Sequence, residues 1–269
     1  MRASDAFQVK PGSKIRLRQF DPAATQGAKG RKEGLVKTAK YCAKLGELQY
    51  LLFAEKKHAL LVVLQGLDAS GKDGAVRHVM SGVNPQSCLV TSFKTPTQEE
   101  LDHDFLWRIH KAVPARGVIG IFNRSHYEDV LIVRVHNLVP KSVWSRRYDQ
   151  INEFEKSLTE SGVTILKFFL HISKDEQKKR FEERLTDPTK NWKVAQADFD
   201  ERKLWDDYTK AYEDAIERTS TNYAPWHIIP SDHKWFRNLA LSRVIVETLQ
   251  SLDMKFPKPS MDLSKIVVV

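Results

Sequence analysis

Three observations predict an α/β chain built in three layers, with helices on both faces of a mostly parallel, five-stranded sheet. Short apolar runs alternate with longer helical stretches along the chain. The runs, such as ALLVVLQ and VTILKFFLH, are mainly apolar rather than strictly alternating, as in strands covered on both faces. A glycine-rich turn follows the first run and opens a helix, and ligands of such sheets gather beyond the carboxyl ends of the strands.

Residues 1–30 are rich in Gly, Pro, Ala, Lys and Arg and read as an N-terminal arm laid on a neighbouring surface. From Lys32 to Lys57 apolar positions recur at three- and four-residue steps (Leu35, Ala39, Cys42, Leu45, Leu48, Leu52), which predicts a helix. His58 to Gln65 is the first strand, and a helix runs from Gly71 to about Ser81. Ser87 to Ser92 is the second strand. A helix over Gln98 to Val113 stops at Pro114, and Val118 to Phe122 is the third strand. Tyr127 to Arg134 and Lys141 to Thr159 are helical, and Val163 to His171 is the fourth strand. Lys174 to Leu185 is a charged amphipathic helix, and Phe199 to Thr219 a longer one. Trp226 to Ile229 is a short fifth strand, and Lys234 to Leu252 the last helix. The main domain thus covers 31–255, with a tail at 256–269. Between two charged helices, Thr186 to Asp198 is polar, basic and interrupted by Pro188. It reads as part of a mobile lid spanning about 180–210, a device that excludes water from a reaction site.

The chain has 269 residues, enough for one domain with a substantial core, and 41% hydrophobic against 29% charged residues is ordinary for a soluble protein. Lys and Arg number 43 against 34 Asp and Glu, a net charge of +9 that points to an anionic partner. Cys42 and Cys88 form no metal or disulfide pattern, so a reducing cytoplasm is expected. MRASDAFQVK carries no signal-peptide core, and no stretch reaches the roughly 18 apolar residues of a membrane span, so no membrane partner is expected. There is no N-K-x-D guanine-reading motif, zinc-finger spacing or RNP-like string, and no nucleic-acid partner is expected. Trp192, Trp205 and Trp226 read as lid and core packing.

The strongest motif is GLDASGKDG, Gly66 to Gly74, between a strand and a helix. It follows the phosphate-loop pattern G-x-x-x-x-G-K-[ST], except that Asp73 replaces the hydroxyl residue that binds Mg²⁺. The backbone N–H groups of Ala69, Ser70, Gly71 and Gly74 and the helix N-terminus can cradle phosphate, and Lys72 adds a point charge. Asp68 and Asp73 would repel a bare polyanion, so they imply a hard cation shared with phosphate. Asp73 equally suits the first turn of a helix.

The second motif is IFNRSHYEDV, Ile121 to Val130. A strand running into a polar residue is where a metal-binding acid is usual, yet Asn123 stands there, and Glu128 and Asp129 can supply the charge. Arg124 is placed to reach phosphate oxygens, while His126 and Tyr127 suit a solvated helix start. Further basic residues (Arg77, Lys94, Arg134, Lys141, Arg180, Arg184, Lys190, Lys193, Lys234) are mostly solvated faces, but those after strand ends or in the lid suit a ligand with many phosphates.

GLDASGKDG, FNRSHYEDVL, LTDPTKNWK and the long DFDERKLWDDYTKAYEDAIERTSTNYAPWHIIPSDHKWFR, in that order, resemble the polyphosphate kinase 2 family over about 32–252. The resemblance implies a P-loop kinase-like fold with a helical lid. It implies phosphoryl transfer between inorganic polyphosphate and adenine nucleotides, with guanine as an alternative base, and Mg²⁺ for which Mn²⁺ can substitute. It implies a homo-oligomer, tetramer or dimer. It also implies Asp68 as the essential loop aspartate, Lys72 as the loop lysine, Arg124 and Arg184 as phosphate-binding arginines, and Lys234 in a closing motif. Asn123 departs from the Asp of two of the family's three classes. It looks like the third, associated with phosphorylating both AMP and ADP. The expected catalytic set is Asp68, Lys72, Asn123, Arg124 and Glu128. Phosphate binding is expected from residues 69–74 with Arg77, Arg124, Arg134, Arg184 and Lys234, and metal binding from Asp68 and Asp129. An ATP-dependent nucleoside monophosphate kinase is the competing reading, and a nucleotide-dependent switch or nucleic-acid-binding ATPase a more distant one.

Overall fold

The structure is a computed structural model that describes residues 3–266. Its helices and strands, in chain order, are α1 (Arg31–Glu55), β1 (Ala59–Gln65), α2 (Lys72–Val79), β2 (Cys88–Ser92), α3 (Gln98–Leu101), α4 (Trp107–His110) and β3 (Ile119–Asn123). Then come α5 (Ile132–Val135), α6 (Lys141–Trp144), α7 (Arg147–Glu160), β4 (Val163–His171), α8 (Lys174–Thr186), α9 (Gln196–Lys203), α10 (Trp205–Thr219), β5 (Trp226–Pro230) and α11 (Lys234–Gln250).

The five strands lie in the order β2-β3-β1-β4-β5 and every pairing is parallel. All seven residues of β1 are buried, because the strand is central and covered on both faces, and this is why its sequence is apolar without a break from Ala59 to Leu64. Its side chains alternate between two cores. Leu61 and Val63 face the layer of α7 and α10, whereas Leu60, Val62 and Leu64 face the layer of α1, α2 and α11. From β1 the chain first builds β2 and β3 on one side and then β4 and β5 on the other. The strand ends at this reversal form the crevice where ligands bind in open α/β sheets. No helix among the described residues is long and apolar enough to cross a membrane.

Five expectations change, four for helices and one for the N-terminal arm. The helix expected over Gln98–Val113 is two single turns. A capping box of Thr97 and Glu100 starts the first, and Asp104 then accepts from the Leu106 N–H, offering the backbone a turn in place of a helix. Tyr127–Arg134 begins as a 3₁₀ turn capped by Ser125 and becomes α-helical only after Leu131, and Lys141–Thr159 divides into α6 and α7. Phe199–Thr219 breaks at Leu204, whose N–H bonds the Glu201 carbonyl in a tightened last turn. The arm lies on its own domain: Phe7, Val9, Ile15 and Leu17 are buried, and Val9 N–H donates to the Trp226 carbonyl at 2.8 Å. Gln8 bridges to His227 beside β5, which blunts that sheet edge.

Candidate active site

The phosphate-loop sequence leaves the end of β1 and enters α2, as the motif requires. Two of its glycines are forced. A Cβ at Gly66 (φ 151°) would stand 2.8 Å from the Leu170 carbonyl, and one at Gly71 (φ 101°) would stand 1.9 Å from Arg237 Nη1. Ala69 takes the left-handed conformation at φ 59°, and Arg124, at the end of β3, does so at φ 62°. Each such non-glycine residue costs on the order of 1 kcal/mol or more, and such strain concentrates at functional sites.

The charged groups are cross-linked. Lys72 is buried, and its Nζ donates to the carbonyls of Gly66 at 2.5 Å and Leu67 at 3.4 Å. Burial holds its pKa below the ordinary lysine value, and the charge of Arg124 pushes the same way. Arg124 Nη2 donates to Asp68 Oδ1 at 2.9 Å, and its Nη1 lies 3.9 Å from Glu128 Oε2. Asn123 Nδ2 donates to Asp73 Oδ1 at 2.7 Å. The two departures from the usual motifs therefore answer one another. Asp73 in place of a hydroxyl is matched by an amide in place of a second carboxylate, and an Asp at 123 would set two anions in contact.

These groups border a cleft of about 1080 Å³. Eleven Lys and Arg line it against five Asp and Glu, an excess of six out of the chain's net +9. Lys94 and Arg31 also line it, and Arg184, Lys190, Lys193 and Lys234 come from the end of α8, the segment that follows it and the start of α11. Arg184 pairs with Asp198 at 3.3 Å and Lys234 with Glu183 at 3.2 Å, so part of this positive charge is internally compensated.

Of the expected residues, Asp68, Ala69, Gly71, Lys72, Asp73, Gly74, Asn123, Arg124, Arg184 and Lys234 line the cleft. Ser70 is fully buried behind the loop, and Glu128 reaches the site only through Arg124. Arg77 is exposed and outside the lining. Arg134 is engaged by Asp214 at 2.8 Å and Tyr148 and packs over Trp144. Asp129 is a correction: it lies outside the lining and accepts from Arg147 at 2.9 Å, so it is not brought into a set with Asp68. Burial raises its pKa to about 6 against the opposing charge of Arg147. No group of three or more His, Cys, Asp or Glu able to hold a metal occurs among the described residues. The two carboxylates that the phosphate loop presents to the cleft, Asp68 and Asp73, are hard oxygen donors, a pair that fits Mg²⁺ shared with phosphate oxygens rather than caged by protein.

His126 and Tyr127 are also corrected. Both are fully buried rather than solvated. Glu155 accepts from the Tyr127 hydroxyl at 2.8 Å and pairs with His126 Nε2 at 3.2 Å. Lys167 donates its three protons to Glu155 at 2.5 Å, Tyr127 Oη at 2.8 Å and the Thr219 carbonyl at 2.7 Å. Gln65 donates to Ser125 Oγ at 3.1 Å, tying the end of β1 to the same segment. This knot anchors the chain immediately after the strained corner at Arg124.

Sequence reasoning missed the supports of the loop. Arg180, read only as one of a set of basic residues that are mostly solvated faces, is buried, and all five of its N–H groups are used. They reach Glu176, the carbonyls of Ala69 and Ser70, and those of Ser231 and Asp232. Gln177 donates to the Asp68 carbonyl at 2.9 Å, so the base of α8 is bolted to the loop. The available signal was position, since Gln177, Arg180 and Phe181 share the buried stripe of α8.

The family model described as polyphosphate kinase 2 matches residues 29–257. An AMP/ADP-polyphosphate phosphotransferase of Meiothermus ruber is 51% identical over 97% of this chain and 98% of its own length. An ADP-polyphosphate phosphotransferase of Rhodopseudomonas palustris is 51% identical over 80% of this chain and 78% of its own. The crystal structure of polyphosphate kinase 2 from Arthrobacter aurescens TC1 superposes with a TM-score of 0.94 at 46% identity, covering 98% of this chain and 94% of that one. The chain belongs to the polyphosphate kinase 2 family, and it is a kinase with that family's α/β fold.

Proposed function

We propose that this polyphosphate kinase 2 transfers the terminal phosphoryl group of inorganic polyphosphate to AMP and to ADP, giving ADP and ATP, and runs in either direction. The observation that carries this reading is the cleft's excess of six positive charges around a phosphate loop, more than a single nucleotide needs. The Meiothermus relative, named as an AMP/ADP-polyphosphate phosphotransferase, supports both acceptors. Adenine is the expected base, with guanine as the alternative. A homo-oligomer in a reducing cytoplasm, with residues of about 180–210 acting as a lid, completes the reading.

The attacking oxygen belongs to the acceptor's own terminal phosphate, which is largely deprotonated at neutral pH. No strong general base is needed, and Asp68 acts as aligner and metal ligand. The new P–O bond forms as the donor's bridging P–O bond breaks, and the shortened chain leaves with that electron pair. Lys72 exchanges its carbonyl partners for phosphate oxygens, and Arg124, held between Asp68 and Glu128, meets the charge on the transferred group. Mg²⁺, with Mn²⁺ able to substitute, would be held by Asp68 and Asp73 with phosphate oxygens and would neutralise charge on the phosphates.

The test is nucleotide product analysis with Mg²⁺ and AMP, supplying polyphosphate in one arm and ATP in the other. ADP and ATP from polyphosphate alone are expected. ADP as sole product would confine the acceptor to AMP, and transfer from ATP but not polyphosphate would replace this reading with a nucleoside monophosphate kinase.

A further inference from the structure

Two buried cations flank the turn that opens α2. One is Lys72. The other is Arg237, at the end of the first turn of α11 and only 3% exposed. Its guanidinium lies against the loop, 1.9 Å from where a Cβ of Gly71 would be and 3.3 Å from that of Gly74. It forms part of the cleft wall.

The two arginines contributed by α8 and the one after β3 have carboxylate partners: Arg124 with Asp68, Arg180 with Glu176, Arg184 with Asp198. Among the described residues no carboxylate lies within ion-pair distance of Arg237. Its Nε and Nη2 donate to Asn238 Oδ1 at 3.1 and 2.8 Å, and Nη1 makes a long bond of 3.4 Å to the Ser70 carbonyl. Three of the five N–H groups of an arginine are thereby used, leaving one on each terminal nitrogen beside the loop. The Ser70 carbonyl already accepts from Arg180 at 3.1 Å, so Arg237 is not required to satisfy it. Burial, followed by the charge of Arg180, pushes the guanidinium pKa down to about 10. The fold therefore carries a buried cation without its counter-ion, an arrangement that costs stability until an anion arrives.

We propose that Arg237 is a phosphate-binding residue of the donor subsite, donating its two free N–H groups to a unit of the polyphosphate chain held beside Lys72 at the N-terminus of α2. Asn238 holds the guanidinium fork in the orientation that presents them. This inference rests on the reading of the chain as a polyphosphate-dependent kinase.

Arg237→Met and Arg237→Lys, made in the full chain, test it. Arg237→Met is expected to raise the polyphosphate KM by about ten- to a hundredfold, the value of a charge-assisted contact, with the AMP KM unchanged. Without polyphosphate its melting temperature should equal or exceed that of the wild type, because an uncompensated buried charge is gone. Arg237→Lys, which keeps the charge and loses the fork, should fall between the two in KM. Inorganic tripolyphosphate should raise the melting temperature of the wild type and leave that of Arg237→Met unmoved. A wild-type polyphosphate KM in Arg237→Met overturns the proposal. So does a lowered melting temperature with equal losses for polyphosphate and AMP, the behaviour of a residue that only holds the loop. Wild-type protein that uses ATP and ignores polyphosphate would instead sink the functional reading, in the same assay.

Discussion

The buried cluster around Lys167 and the open cluster around Lys72 contain the same kinds of group and have opposite characters. Around Lys167, one ammonium meets one carboxylate, a phenol and a carbonyl, and Lys167 and Glu155 have no solvent exposure. Around Lys72, among the described residues, the lysine bonds carbonyls, Arg237 has no carboxylate within ion-pair distance, and Arg124 shares Asp68 with the cleft. A cluster whose donors and acceptors match internally is complete and holds the chain in place. A cluster with surplus donors and an opening to solvent is completed by a ligand. Residue type does not distinguish scaffold from site in this molecule; the balance of partners does.

The largest expected effect breaks the closed cluster. Lys167→Met leaves Glu155 buried and uncompensated, and should cost about 3–5 kcal/mol in denaturant unfolding. Adding Glu155→Gln should recover much of that loss. Turnover per folded molecule should stay near that of the wild type, and a specific loss of turnover at full stability would assign the cluster to the site instead. Next come substitutions in the open cluster. Lys72→Ala and Asp68→Asn should each lower turnover at least about a hundredfold, as loss of a transition-state contact does, with melting little changed. Wild-type rates in either folded variant would remove the site assignment.

The smallest effect concerns acid stability, which buried groups rather than the cleft should govern. Burial depresses the pKa of His227 from 6.5 to about 4. Above pH 6.5 it is neutral folded or unfolded and contributes nothing to the slope. Below that, the unfolded chain takes up a proton that the folded chain refuses, so stability falls as pH drops toward 4, by up to about 3 kcal/mol. His227→Gln should flatten this limb in unfolding measured from pH 7 to 4. Asp129 works against it. Its raised pKa contributes stability present below 3.8 and lost as pH rises through about 6. An unchanged acid limb in His227→Gln would mean that other groups set it.

How far each cluster could be read in advance follows the same division. The loop from Gly66 to Gly74 is local: nine consecutive residues encode a turn, two forced glycines and a helix start, and they were found where expected. The strand core was legible for a similar reason, since six consecutive apolar residues in β1, Ala59 to Leu64, suit a strand covered on both faces. The helices that broke were misjudged because period alone does not register Asp104 bonding the backbone two residues on, or the tightened turn at Leu204.

By itself, then, the sequence determined the order of strands and helices, the phosphate loop, its lysine and the positive excess, because each is written in neighbouring residues or in composition. Only the tertiary structure decided that Asn123 answers Asp73, 50 residues away, and that Asp129 turns to Arg147 instead of Asp68. It alone placed Arg180 and Arg237 beneath the loop, 110 and 167 residues from the Ser70 carbonyl they share. The physical reason is that a charged side chain looks alike in any sequence. Whether it is solvated, paired or left waiting for a ligand depends on which distant groups the fold brings within hydrogen-bonding distance.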